Sequence, residues 1–298
     1  MPFADSSGVS LYYEETGTGY PIVWLHEFAA DFRTWEGQVR HFSGQYRCIT
    51  YNARGYPPSS VPEDGDAYTF DRQRDDVLAI MDHLKIEKAH IVGLSMGAYA
   101  GLQFAMSYPN RVSALFFASG GSGASREERA QYMRDTHMVA DRMLSEGMEA
   151  GASGLAMGAT RIQLLNKDER GWKEFRRYMS EHSALGSALT LKNYQALRPS
   201  LYESEDVLRA LDIPVLLALG DEDDPVIEVN IYLKRTLPRA GLWVCPKTGH
   251  GLNIEEPGAF NQMASQFFST VERGHWHRRD PRASSAQSLF MGDKHGQP

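Results

Sequence analysis

Three kinds of residue follow one another along this chain in an order that could turn an alcohol into a nucleophile. The first is a serine in Gly93-Leu94-Ser95-Met96-Gly97, a Gly-x-Ser-x-Gly pattern. The pattern alone is weak, and its surroundings give it weight. His90-Ile91-Val92-Gly93 reads as an apolar strand running into Ser95, and Met96 to Ser107 reads as a helix stopping before Pro109. A serine on a sharp strand-to-helix turn exposes its hydroxyl on a strained backbone, and side chains two residues either side would clash, hence the glycines. The helix that starts there aims free N–H groups and its positive dipole end at developing negative charge.

A serine hydroxyl needs a base to take its proton. Of the 10 histidines, His250 stands out. It lies in Thr248-Gly249-His250-Gly251, after the last expected strand and before the last expected helix. Such a loop sits at the carboxyl edge of the sheet, where ligands bind in open α/β folds. His137 and His182 fall in the middle segment and His275 and His277 in the tail, so they fit less well. A third group should orient the imidazole and stabilise its charged form. Gly220-Asp221-Glu222-Asp223-Asp224-Pro225 offers four carboxylates, and any of its aspartates satisfies the chain order Ser, Asp, His. An oxyanion hole completes the set. One donor is expected from the Met96 backbone N–H, and the other from the loop after Leu25, at the Phe28 N–H. These groups suffice for acyl transfer to water with no cofactor and no metal, and activity should fall as His250 becomes protonated.

The elements that must position them alternate. Leu11 to Glu14, Ile22 to Leu25, Cys48 to Tyr51, His90 to Gly93 and Val112 to Ala118 read as strands. Trp35 to Phe42 reads as a short helix, and Phe70 to Leu84 as a helix with Val77, Leu78, Met81 and Leu84 on one face. From Gly120 to about Ser204 no strand is expected. Instead, charged Met-rich helical segments such as Arg126 to Leu144 and Glu169 to His182 follow a Gly-Gly-Ser-Gly break. The rhythm resumes with strands at Pro214 to Leu219 and Gly241 to Cys245, and helices at Val226 to Thr236 and Pro257 to Val271. This implies a mostly parallel sheet with helices on both faces. The expected division is a core over 1–120, a helical insertion over 121–204, the rest of the core over 205–273 and a polar tail over 274–298.

The bulk numbers exclude several classes. The chain has 298 residues, 42% hydrophobic and 23% charged, which suits a packed α/β domain with an insertion. A net charge of −7 disfavours nucleic acid as a partner. Cys48 and Cys245 sit in strand-like runs and read as buried thiols rather than a disulfide or metal site. No leader segment and no membrane-spanning run is read, so a cytoplasmic protein acting on a small molecule is expected. Trp276 and Leu289-Phe290-Met291 in the tail make a homodimer conceivable.

In this setting the chain resembles the α/β-hydrolase superfamily, in its serine-nucleophile branch with a helical cap. The resemblance covers roughly Val9 to Val271. Its landmarks are His26, Asn52-Ala53-Arg54-Gly55-Tyr56 with Ser59, the turn at Ser95, Gly220 to Pro225, and Gly249-His250 followed by Glu255, Glu256 and Pro257. In that family the acid stands three residues after the loop's glycine, which implies Asp223 over Asp224 and Asp221. There are two departures. Glu27 replaces the glycine usual after His26, and is expected either to turn outward or to select a substrate with a donor or positive charge. Asn52 opens the stretch where the family has aspartate, and Arg54 is expected to anchor that loop. The cap would roof the pocket, with Met133, Met138, Trp172 and Tyr194 as candidate substrate contacts beside Met143, Phe175 and Tyr178. The resemblance implies hydrolysis of a small or medium carboxylic ester. Amide, lactone or carbon–carbon bond cleavage, cofactor-free haloperoxidase or oxygenase activity, and a triad-retaining ligand receptor remain open.

Overall fold

A computed structural model describes residues 2–125 and 127–283. Its centre is one eight-stranded sheet in the order β1-β2-β4-β3-β5-β6-β7-β8. The strands are β1 (Phe3–Ser6), β2 (Val9–Thr16), β3 (Tyr20–Leu25), β4 (Tyr46–Tyr51), β5 (Ala89–Leu94), β6 (Val112–Ala118), β7 (Val215–Gly220) and β8 (Ala240–Cys245). The β1–β2 and β2–β4 pairs are antiparallel and all others are parallel. β1 escaped the sequence reading because it is short and polar. Its signal was the turn: Ser7 and Gly8 both have positive φ, at 55° and 84°, as a two-residue hairpin requires.

Helices cover both faces. In order they are α1 (Glu36–Phe42), α2 (Phe70–His83), α3 (Met96–Ser107), α4 (Arg129–Glu146), α5 (Met148–Ala156), α6 (Ile162–Lys167), α7 (Glu169–Ser180), α8 (Ala184–Leu189), α9 (Glu205–Ala210), α10 (Asp224–Thr236), α11 (Leu252–Glu255) and α12 (Pro257–Glu272). The period of two along the strands splits the core. Val23, Leu25, Ile49, Ile91 and Leu217 pack with Val77 and Met81 of α2, Leu102 of α3 and Leu233 of α10. Ile22, Trp24, Val92 and Phe116 point the other way, onto Phe42 of α1 and Phe260, Phe267 and Phe268 of α12. Central strands buried on both sides are therefore almost wholly apolar, which is why they were legible.

Helices α4 to α8 lie between β6 and β7 in sequence and form a third apolar cluster. Met143, Ala152, Leu164, Phe175 and Met179 pack there, with Ala29 from the loop after β3. Three polar contacts tie these helices to the loops below. His182 Nε2 lies 3.3 Å from Asp31, Arg33 Nη1 lies 2.5 Å from Glu181, and Arg161 pairs with Glu27. A fourth tie is steric: a Cβ on Gly186 would sit 2.0 Å from the Gly55 carbonyl oxygen. Among the described residues no helix is long and apolar enough to cross a membrane.

After α12 the chain does not leave the fold at once. Trp276 donates its indole N–H to the Arg239 carbonyl at 2.7 Å and packs edge-on against Phe267. Trp276 therefore satisfies its own chain and does not support the homodimer expectation. Leu289-Phe290-Met291 lie outside the described residues.

Two glycine substitutions separate close approach from mere flexibility. Gly186→Ala must push two backbones apart and should destabilise by about 1–3 kcal/mol. Gly258→Ala, in α12 with nothing within 4 Å of its Cβ, should be neutral or stabilising by about 0.5 kcal/mol. Urea unfolding of both variants checks this contrast.

Candidate active site

Strand β5 ends at Leu94, and the next residue adopts φ 53°, ψ −107°, a conformation L-residues avoid. Ser95 is held there by its N–H donating to the Ala118 carbonyl at 2.8 Å. Two contacts account for the glycines around it. A Cβ on Gly93 would meet the Gly97 carbonyl oxygen at 2.3 Å, and one on Gly97 would meet the Leu25 carbonyl oxygen at 2.2 Å. The second contact also brings the loop after β3 against the first turn of α3. Met96 opens that helix, so its N–H has no carbonyl of its own helix to bond. Phe28 sits in the neighbouring loop, half-buried, with its carbonyl accepting from the Tyr56 hydroxyl at 2.8 Å.

The carboxylate and the imidazole arrive on the next two strand ends. A Cβ on Gly220 would lie 2.0 Å from the Thr248 carbonyl oxygen, so the loops after β7 and β8 touch backbone to backbone. Asp223 is fully buried, and its Oδ2 lies 2.6 Å from Nδ1 of His250. Asp221 and Asp224 are exposed, which separates three aspartates that chain order could not. The other carboxylate oxygen of Asp223 is buried without a hydrogen bond among the described residues, leaving the imidazole as its one partner.

The histidine loop is clamped from both sides. Glu255 accepts from the Gly249 N–H at 2.8 Å and the Gly251 N–H at 3.1 Å. The His250 N–H donates to the Thr160 carbonyl at 2.9 Å, a contact from the helical insertion. The Ser95 hydroxyl makes no hydrogen bond to His250 within 3.5 Å. The Glu27 carboxylate lies 3.8 Å from His250 Nε2. Nucleophile–base hydrogen bonds are often long without substrate and tighten when it binds.

A profile of the alpha/beta hydrolase fold matches residues 20–257. The chain belongs to the alpha/beta hydrolase family. A Bacillus subtilis (strain 168) protein provisionally named 2-succinyl-6-hydroxy-2,4-cyclohexadiene-1-carboxylate synthase is 30% identical over 258 residues, covering 84% of this chain and 90% of that one. The 3-oxoadipate enol-lactonase 2 of Acinetobacter baylyi is 27% identical, covering 80% and 85%. Among solved structures, a thermophilic esterase from Thermogutta terrifontis, bound to malate, superposes with a TM-score of 0.78 at 26% identity, covering 91% and 98%. The chain is thus an alpha/beta hydrolase with enzymes among its relatives.

Within this hydrolase the remaining sequence candidates scatter. Glu27 does not turn outward: it is 2% exposed and bound to the buried Arg161. That guanidinium neutralises it, so the idea that Glu27 selects a cationic group loses its basis. Met138 is 65% exposed on α4. Trp172 packs in the insertion's own cluster and donates its indole N–H to the Ala156 carbonyl. Met133 is half-buried on α4. Tyr194 reaches the turn, donating its hydroxyl to the Met96 carbonyl at 3.3 Å. Arg54 forks onto Asp76 at 2.8 and 2.5 Å and holds its loop. The sequence reading did not single out Arg161 or the clamp that Glu255 forms. A glutamate shortly after the histidine was visible as a landmark, but its double clamp depends on loop geometry that spacing does not reveal.

His26 is a structural link. Its Nδ1 lies 2.7 Å from the Glu27 carbonyl and its Nε2 accepts the Ala53 N–H at 3.0 Å, which fixes a neutral ring. Burial lowers its pKa from 6.5 to about 4. The unfolded chain therefore binds a proton that the native one refuses. Stability is full above about pH 6.5 and falls as the pH drops toward 4, by up to about 3 kcal/mol. Urea midpoints measured across that range should show this slope, and the His26→Asn variant should lack most of it.

Proposed function

We propose that this protein is a serine hydrolase in which Ser95, His250 and Asp223 act as a triad on a carboxylic ester of small or medium size. The observation that carries the reading is the buried 2.6 Å contact between Asp223 and His250 Nδ1 at the sheet edge where Ser95 stands on its strained turn. That contact fixes the tautomer with Nε2 unprotonated, the form that accepts a proton from an alcohol.

In this mechanism Ser95 Oγ bonds to the ester carbonyl carbon while His250 Nε2 takes the hydroxyl proton. The oxyanion rests on the N–H groups of Met96 and Phe28. Collapse breaks the bond to the alcohol, which leaves with the proton from His250. Water then attacks the acyl-enzyme by the same route and restores the serine. Relatives named as a lactonase and an esterase support acyl chemistry.

Hydrolysis of p-nitrophenyl butyrate tests the assignment. Ser95→Ala and His250→Ala should lose at least about 1,000-fold in kcat, and Asp223→Asn about 100-fold or more. Asp224→Asn should stay within about twofold. An Asp224→Asn loss equal to that of Asp223→Asn would contradict the triad. Glu27→Gln leaves the buried Arg161 without its counter-charge. It should cost about 3–5 kcal/mol of stability and change neutral and cationic esters by the same factor.

A further inference from the structure

Arg198 is 6% exposed, yet it has no carboxylate within 4.0 Å among the described residues. Its Nε and Nη1 are buried and donate to nothing among them. Its guanidinium lies over the Tyr99 ring, 4.4 Å from the centroid, and 6.0 Å from that of Tyr194. Stacking on rings offsets part of the cost of burying a cation but satisfies none of the in-plane N–H groups. An unpaired buried charge costs several kcal/mol, so a fold that keeps one normally supplies the counter-charge from elsewhere.

The position of this cation points to where the counter-charge comes from. Tyr99 is one helical turn past the nucleophile and its N–H donates to the Ser95 carbonyl at 3.0 Å. Tyr194 reaches the Met96 carbonyl. On the other side, a Cβ on Gly121 would sit 3.5 Å from Arg198 Nη2, and Gly121 follows shortly after Ala118, whose carbonyl holds the Ser95 N–H. Arg198 thus stands between the first turn of α3 and the loop leaving β6, packed on the two tyrosines that contact the backbone of Ser95 and Met96. Gly123, with φ 83°, lets the same loop pass under the Arg198 stem. Arg129 adds a second cation by donating to the Gly123 and Arg198 carbonyls at 2.5 and 2.7 Å. The other buried arginine nearby, Arg161, is already occupied by Glu27.

We propose that the natural substrate carries a free carboxylate at the far end of its acyl chain, and that Arg198 receives it. The substrate class is then a half-ester, or a lactone bearing a carboxylate, derived from a short dicarboxylic acid. This rests on the hydrolase reading above for the reaction, but not for the binding of the anion. The bond changes are those already described. Arg198 takes no proton and forms no covalent bond; it is a specificity residue that fixes the acyl chain.

The test compares mono-p-nitrophenyl glutarate with p-nitrophenyl valerate. The wild type should favour the anionic ester by about 10- to 100-fold in kcat/KM, the range expected of a charged hydrogen-bonded contact. Arg198→Gln should abolish that ratio, chiefly through KM for the glutarate ester, and Arg198→Lys should restore part of it. A purely structural role for Arg198 would lower both esters by one factor and leave the ratio unchanged, which overturns the proposal. So does a wild type that prefers the valerate ester. Should Arg198→Gln not fold, the wild-type ratio and competitive inhibition by glutarate but not by valeramide decide. Neutral-ester turnover without anion preference defeats this inference and leaves the hydrolase reading standing. If neither ester is cleaved, the hydrolase reading fails. The rise in Tm with glutarate, present in the wild type, reduced in Arg198→Lys and absent in Arg198→Gln, then decides on the carboxylate site alone.

Discussion

Backbone touching backbone at one edge of the sheet is the constraint on which this molecule depends. Gly97 against the Leu25 carbonyl, Gly93 against the Gly97 carbonyl and Gly220 against the Thr248 carbonyl are contacts in which no side chain would fit. They draw four strand ends together, and with them the loops that carry Phe28, Ser95, Asp223 and His250. Parallel strands end on the same side, so residues far apart in sequence meet without any of them needing to be close along the chain. The strain at Ser95 is the local cost. It is held by the Ala118 hydrogen bond and by a helix buried almost throughout its length.

Charge is arranged around this edge with unusual density for a buried region. Asp223 faces His250, Glu27 faces Arg161 and lies near the free side of the imidazole, and Asp31 faces Arg33 and His182. Each carboxylate has a cationic or imidazole partner, as low-dielectric surroundings demand. Two of the pairs join the segment between β6 and β7 to the loop after β3. Against this pattern the uncompensated Arg198 is conspicuous.

The sequence made the architecture readable where physics leaves a periodic trace. Met96–Ser107 and Val112–Ala118 run between the residues that apolar spacing and Pro109 suggested. It was silent where a feature has no periodicity, as with the polar strand Phe3–Ser6. The turn at Ser95 was legible because close approach demands glycine at fixed offsets. The choice among Asp221, Asp223 and Asp224 was not, since these neighbouring carboxylates differ in burial, which spacing does not show; only the family's offset from the loop glycine pointed to Asp223. Glu27 was misjudged for a related reason. Its partner Arg161 is 134 residues away, and nothing local announces a pair formed across the insertion.

The central claim is that Ser95 is an activated alcohol. Treatment of the native protein with a fluorophosphonate, followed by mass spectrometry of its peptides, tests this most directly. The account predicts one stoichiometric adduct on the peptide containing Ser95, forming within minutes and lost in the His250→Ala variant. An unlabelled Ser95, or an adduct that forms equally well without His250, would contradict it.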